Sequence, residues 1–301
     1  MADHLIRALL RSHNVRLVAA LTTDLGSTAA ARHKASPAAA CALGRGLTAG
    51  LLLATLSKTQ ERVTIQLVGN GPLRGVTVDA YGDGLARGYP LEAQACAGVS
   101  MAGRQLLAPL IGRDGVVNLV RDIGLRDRYQ GQVSLVTSEI DEDVEAYLRD
   151  SEQIPSALGC EVVIEENGQI ASAGGLLAQI MPDSPQGTHD LLRELQHSLR
   201  TGALYDLLRG GVATAREILE LAAGPYVDQL ELFDERPLRF QCHCDLQRIE
   251  AMLGGLDTLA LDEMISDGQA AITCNYCSEV YTVPKEDLLR LRAQKPSREQ
   301  Q

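Results

Sequence analysis

Four cysteines toward the C-terminus have the residue type and spacing of metal ligands. They read Cys242-His243-Cys244, then 29 intervening residues, then Cys274-Asn275-Tyr276-Cys277. Four thiolates in two close pairs suit a tetrahedral site, and structural zinc is closed and four-coordinate. The second pair has C-x-x-C spacing and lies between strand-like Ala271–Thr273 and Val280–Val283, as a hairpin knuckle would; the first is the less common C-x-C. One Zn2+ held by Cys242, Cys244, Cys274 and Cys277 is therefore expected. An iron–sulfur cluster is the metal alternative. His243 could replace one sulfur, but its place between two ligands points it away. Four unrelated core cysteines would not fall into pairs.

Metal-bound sulfur is already deprotonated, and the thiolate is the reactive form of cysteine. In a C-x-x-C turn the outer Cα atoms come within about 7 Å, close enough for a disulfide. Two extended residues span at most ~6.6–7.2 Å, against an upper limit of ~6.8 Å for bridging. A Cys242–Cys244 bridge therefore needs a bend, which stores strain and makes it readily reversible. Oxidation would remove all four ligands together and unfold a unit that depends on its metal. A permanently reduced structural zinc is the competing reading, and spacing alone leaves both open.

The segment carrying these cysteines needs such support. Residues 241–301 hold 17 large apolar side chains, counting Leu, Ile, Val, Met and Tyr, and a unit of that size is marginal on burial alone. Asp3, His4, Arg7, Arg11, His13 and Arg16 interrupt the N-terminal stretch, so no signal peptide is read there. The weakly polar run Gly46 to Ser57 is 12 residues, too short to span a bilayer. A cytoplasmic placement with reduced thiols is expected. Cys41, Cys96 and Cys160 have apolar or small neighbours and are expected to pack rather than react.

Upstream, Ile6, Leu9 and Leu10 fit one face of an early helix, and Val15 to Leu21 is strand-like. Ser36-Pro37 is an N-cap and first-turn signal opening a long Ala/Leu-rich helix to Leu56. From Arg62 the period becomes two, with turns at Gly69-Asn70-Gly71-Pro72 and Gly82-Asp83-Gly84. Further strands are expected at 116–121, 129–136 and 158–166, the last turning at Asn167-Gly168 into 169–173, with a helix at 139–150 between them. Glu139, Asp141, Glu142 and Asp143 at its start read as a solvated first turn favoured by the helix dipole. Strands in runs with interposed helices favour α+β over a doubly wound parallel sheet. Residues 182–188 read as a boundary, after which Leu191, Leu192, Leu195 and Leu199 line one helical face and short helices follow at 203–209 and 214–222. The expected organisation is an α+β core at 1–182 of mixed β-sheets with packed helices, a helical segment at 183–236, and a small zinc-binding domain at 237–301.

Hydrophobic residues make up 45% of the 301, which excludes whole-chain disorder. The net charge of −11 argues against nucleic acid or an anionic membrane as partner. It divides as −3 for 1–182 (16 basic, 19 acidic), −4 for 183–240 (6 and 10) and −4 for 241–301 (6 and 10). Aromatics are 3%, with no Trp, so cores must be aliphatic. Gly69-Asn70-Gly71-Pro72-Leu73-Arg74 lacks the third glycine of a dinucleotide fingerprint, and no Walker A, H-E-x-x-H or G-x-S-x-G motif is present. Thr188-His189-Asp190 reads as a helix start rather than part of a triad.

The cysteine constellation resembles the C-terminal zinc site of the redox-regulated 33 kDa heat-shock chaperonin family. Arg128-Tyr129-Gln130-Gly131, Ser151-Glu152-Gln153-Ile154-Pro155, the run Ala173-Gly174-Gly175-Leu176-Leu177-Ala178-Gln179-Ile180-Met181-Pro182, and Ile65-Gln66-Leu67 leading into Gly69-Asn70-Gly71-Pro72 resemble family segments in the same order. The resemblance covers nearly the whole chain, apart from 92–115. It implies an ATP-independent holdase rather than an enzyme, inactive when reduced and zinc-bound. It further implies oxidation to Cys242–Cys244 and Cys274–Cys277 disulfides, zinc release, unfolding of a helical linker at 183–236 and of a zinc-binding redox-switch domain at 237–301, capture of unfolding client proteins, and homodimerisation of the active form. The acidic C-terminal parts would keep the exposed chain soluble. Ser278 departs from the glycine that many members carry after the C-x-x-C. Two other readings are an enzyme with its site in 1–182 and a purely structural zinc domain, and a zinc-ribbon nucleic-acid binder, which the acidic charge disfavours.

Overall fold

The structure is a computed structural model and describes residues 2–56, 61–96, 103–122, 129–211 and 214–295. Arg128, positions 97–102 of the stretch 92–115, and the polar tail beyond 295 lie outside the described residues. The chain forms two compact units, Met1–Gln241 and Cys242–Gln301.

Among the described residues the first unit has strands β1 (His4–Leu10), β2 (Val15–Leu21), β3 (Arg62–Gly69), β4 (Gly75–Tyr81), β5 (Leu85–Pro90), β6 (Gly115–Asp122), β7 (Tyr129–Ser134), β8 (Ser156–Ile164), β9 (Ile170–Ile180), β10 (Leu230–Pro237) and β11 (Arg239–Phe240). Its helices are α1 (Thr23–His33), α2 (Pro37–Ala54), α3 (Ala108–Ile111), α4 (Ile140–Asp150), α5 (Thr188–Arg200), α6 (Ala203–Arg209) and α7 (Ala215–Ala223). One sheet has the order β10-β1-β2-β9-β8 and the other β11-β5-β4-β3-β6-β7. Every pairing is antiparallel except β11 with β5. The architecture is α+β, as the order of strand and helix patterns implies.

Helix α2 starts where Ser36-Pro37 signals it, with the Ser36 hydroxyl accepting the Ala39 N–H at 3.1 Å. It is long and apolar enough to cross a membrane by composition, yet 94% of that window is buried inside the protein. It is the core helix, packed against strands of both sheets. Gly175 on β9 permits the close approach, since a Cβ there would lie 2.5 Å from Thr48 Cγ2.

The expected helix at Ile6, Leu9 and Leu10 is instead strand β1, paired with β2 from His4↔Leu21 to Leu10↔Val15 and with β10 on its other side. Alternation is lost because the five-stranded sheet is covered on both faces. Leu5 joins the core with α1 and α2, while Ile6, Ala8 and Leu10 join a second cluster with α5, α6 and α7. Leu192, Leu195 and Leu199 are buried in that second cluster with Ala157, Leu176 and Ala178, and Leu191 is partly buried there. Gly159 makes room, as a Cβ on it would stand 2.9 Å from Leu199 Cδ2. Helices α5, α6 and α7 thus roof an apolar sheet face, and 230–237 form a strand rather than a helix.

The acidic start of α4 is not a solvated face. Glu139, Asp141 and Asp143 are buried, and Glu139 and Asp141 close on Arg45 of α2, whose side chain is 0% exposed. Arg45 Nη1 donates to Glu139 Oε2 at 2.7 Å and Nη2 to Asp141 Oδ1. Burial alone would lower the Arg45 pKa, but Asp141, Glu161 and Glu139 outweigh it and hold the guanidinium charged. The carboxylates also cap backbone: Glu139 Oε1 accepts the Leu107 N–H at 2.7 Å, Asp141 Oδ2 that of Cys160 at 3.1 Å, and Asp143 Oδ1 that of Val136 at 2.7 Å. Cys41 and Cys160 pack in the core as expected, where burial pushes the Cys41 thiol up to about 12. Cys96 is exposed, so its packing role does not hold.

The second unit contains α8 (Leu246–Gly255), α9 (Thr258–Asp267), β12 (Gln269–Thr273), β13 (Val280–Pro284) and α10 (Lys285–Ala293). Asp245 and Asp257 cap α8 and α9, accepting the N–H of Arg248 and Ala260, each at 2.8 Å. Its core is small: Ile249, Leu253, Leu261, Ala270, Val283, Leu288 and Leu291.

Candidate metal centre

The second cysteine pair sits on the turn of the β12–β13 hairpin, whose register runs from Gln269↔Pro284 to Thr273↔Val280. Cys274 follows the closing pair, its N–H donating to Glu279 O at 2.9 Å, while the Ser278 N–H donates to Cys274 O at 2.8 Å. Ser278 adopts φ 57, the left-handed conformation that glycine takes without cost, so the serine noted from sequence occupies the strained position of the knuckle. The first pair lies between β11 and the Asp245 cap of α8, and the His243 carbonyl accepts from Arg248 Nη1.

These elements bring the four sulfurs of Cys242, Cys244, Cys274 and Cys277 within 4.8 Å of one another. Cys242 Sγ is 3.8 Å from Cys274 Sγ, and Cys244 Sγ is 3.3 Å from Cys277 Sγ. Sulfurs at the corners of a Zn–S tetrahedron stand ~3.8 Å apart, from the ~2.3 Å bond length. The donor set fits: four soft sulfurs and no carboxylate, with His243 outside the cluster. This group could hold a metal ion.

As thiols, Cys274 and Cys277 are pushed up by burial, and backbone N–H groups of Tyr276 and Cys277 toward Cys274, and of Glu279 toward Cys277, act in the opposite sense. Donors aimed at sulfur suit a thiolate bound to a cation. The Tyr281 hydroxyl, which the sequence did not single out, donates toward Cys244 Sγ at 3.1 Å and Cys244 O at 3.2 Å.

In the first unit a cavity of about 390 Å³ lies beside α5, lined by residues including Glu145, Arg149, His189 and Gln196. Burial raises the Glu145 pKa. Both its oxygens are committed, Oε2 to the Leu158 N–H at 3.0 Å and Oε1 to Arg200 Nη2 at 2.8 Å and Gln196 Nε2 at 3.0 Å. That carboxylate anchors α5 rather than offering itself to a substrate.

Residues 3–284 match the Hsp33 protein family. The chain belongs to that family. It is 38% identical over 294 residues to the 33 kDa chaperonin of Geobacter sulfurreducens, covering 97% of this chain and 95% of the relative. The 33 kDa chaperonin of Bacillus subtilis is 34% identical over 293 residues, with 97% and 99% covered. The crystal structure of the 33 kDa chaperonin from Thermotoga maritima superposes with a TM-score of 0.82 at 26% identity, covering 97% of this chain and 98% of that one. The protein is an Hsp33-type chaperone, and relatives named chaperonins imply a non-enzymatic role.

Proposed function

We propose that this chaperone is a redox-regulated, ATP-independent holdase. In the reduced state Cys242, Cys244, Cys274 and Cys277 hold one Zn2+, and the protein is inactive. The metal would supply the cross-link on which the fold of a unit with so small a core depends. Oxidation joins Cys242 to Cys244 and Cys274 to Cys277 and releases the zinc. The observation that carries the reading is the convergence of four sulfurs within 4.8 Å in a unit with seven buried apolar residues. Sulfur contacts run between the pairs, Cys242 with Cys274 and Cys244 with Cys277, and also within the second pair, Cys274 with Cys277. Disulfides within the pairs take all four thiolates from the metal and so dismantle the centre.

Loss of the zinc domain, 237–301, then frees the linker, 183–236, from the core domain, 1–182. Leu192, Leu195 and Leu199 and the sheet face they cover are apolar surface of the kind an unfolding cytoplasmic client would bind, and the oxidised chain acts as a homodimer. The test is suppression of light scattering from a heated, aggregation-prone client. Peroxide-treated protein should suppress it and reduced, zinc-loaded protein should not; equal suppression by both refutes the switch.

A further inference from the structure

We infer that Tyr281 is a positioning residue of the sulfur centre: its hydroxyl, donated to Cys244, restrains the reaction of that sulfur with peroxide and so sets how much oxidant the protein tolerates before it responds. The inference rests on the redox-switch reading and adds a residue to it.

Tyr281 lies on β13, opposite Ile272 of β12, and its ring packs against the small core of the second unit. Ring orientation is thereby fixed by packing, and the hydroxyl reaches out of the hairpin to the first cysteine pair. Its oxygen stands 3.1 Å from Cys244 Sγ and 3.2 Å from Cys244 O. A phenol has one proton to donate, and an anionic sulfur is the stronger acceptor of the two when the thiolate is formed. The contact also joins the strand that follows the C-x-x-C turn to the C-x-C segment, 37 residues apart in sequence. Groups surrounding metal ligands tune both the orientation and the electron density of those ligands.

The chemistry the contact opposes is a two-electron oxidation. A lone pair on Cys244 sulfur attacks one oxygen of hydrogen peroxide, the O–O bond breaks, and hydroxide leaves, giving a sulfenic acid. A second cysteine thiolate then attacks that sulfur and displaces a second hydroxide as the S–S bond forms. Two thiolates are oxidised and one peroxide is reduced to two hydroxides. A hydrogen bond to the attacking lone pair must be weakened on the way to the first transition state, so the donor slows the step it touches.

The test compares full-length wild type with Tyr281→Phe, which keeps the ring and its packing. Both are zinc-loaded and reduced, then exposed to a fixed excess of peroxide, with zinc release followed by a chromogenic chelator and Cys244 sulfenic acid by trapping and mass spectrometry. The phenylalanine variant should release zinc about three- to tenfold faster, the factor matching a hydrogen bond of ordinary net strength, with trapping at Cys244 increased. Equal rates and equal trapping overturn the inference. Wild type that keeps its zinc and thiols under peroxide instead refutes the redox reading. Cobalt-reconstituted protein gives an independent readout: loss of the donor should move the thiolate-to-metal charge-transfer band of Tyr281→Phe to lower energy. An unmoved band in a folded variant contradicts a role for the hydroxyl at the sulfur.

Discussion

The unit Met1–Gln241 buries an aliphatic core spanning two sheets, with α2 almost wholly inside it, whereas Cys242–Gln301 closes on seven buried apolar residues. Charge is handled differently as well. The first unit seals Arg45 among carboxylates away from water, and the second sets four sulfurs at its turns, three of them only half-buried. One unit is therefore held by contacts that no oxidant or chelator addresses. On the proposed reading, the other concentrates its stability in a few atoms that both can remove. A fold that must be lost on a chemical signal is served by the second arrangement, and a surface that must survive the loss by the first.

The contrast breaks most visibly on metal removal. Under reducing conditions a chelator, or Cys277→Ser, should abolish amide-exchange protection across α8, α9 and the hairpin while protection in β2, β3 and β9 persists; binding energy in such centres is on the order of 10–16 kcal/mol. Protection retained in the hairpin would contradict metal dependence. Next in size, Arg45→Ala should destabilise the first unit by about 3–5 kcal/mol, because Glu139 and Asp141 are left buried without their counter-charge. Denaturant melting should show this with zinc content unchanged.

A third effect depends on pH. Asp3 accepts the N–H groups of Asp24 and Leu25 at the start of α1, and burial raises its pKa from 3.8 to about 6. Between those values the folded chain holds the proton more tightly than the unfolded one. Stability of the first unit should therefore fall as pH rises through this window, by about 2 kcal/mol, and stay level above it. Asp3→Asn should lessen this fall in urea melts at pH 4 to 7, the other buried carboxylates of the unit, Glu145 among them, keeping their own share. Smallest, Arg200→Ala removes the Arg200–Glu145 contact holding α5 to α4, a loss of about 1 kcal/mol. Faster amide exchange in α5, without change in β9, is the expected sign.

The cysteine hairpin was legible in the sequence because its information is local: a C-x-x-C between two short alternating runs determines turn and strands together. Ser36-Pro37 was legible for the same reason, and α2 begins there. Strand β1 was not, since burial on both faces erased its alternation and left a spacing that also fits a helix. Nor was the interior position of Glu139 and Asp141, because Arg45 lies 94 and 96 residues away and no local pattern announces the pairing. Tyr281 escaped notice likewise: a tyrosine in a strand reads as packing until the fold brings Cys244 to its hydroxyl.

The central claim is that oxidation empties the sulfur centre and unfolds the unit around it while the first unit stands. It is tested most directly by hydrogen exchange on one peroxide-treated sample, read together with zinc and free-thiol content. The account predicts release of one zinc per chain, loss of four thiols, Cys41, Cys96 and Cys160 still reduced, and protection lost in 242–295 but kept in α2 and β9. Full protection of 242–295 after zinc and four thiols have gone would contradict it.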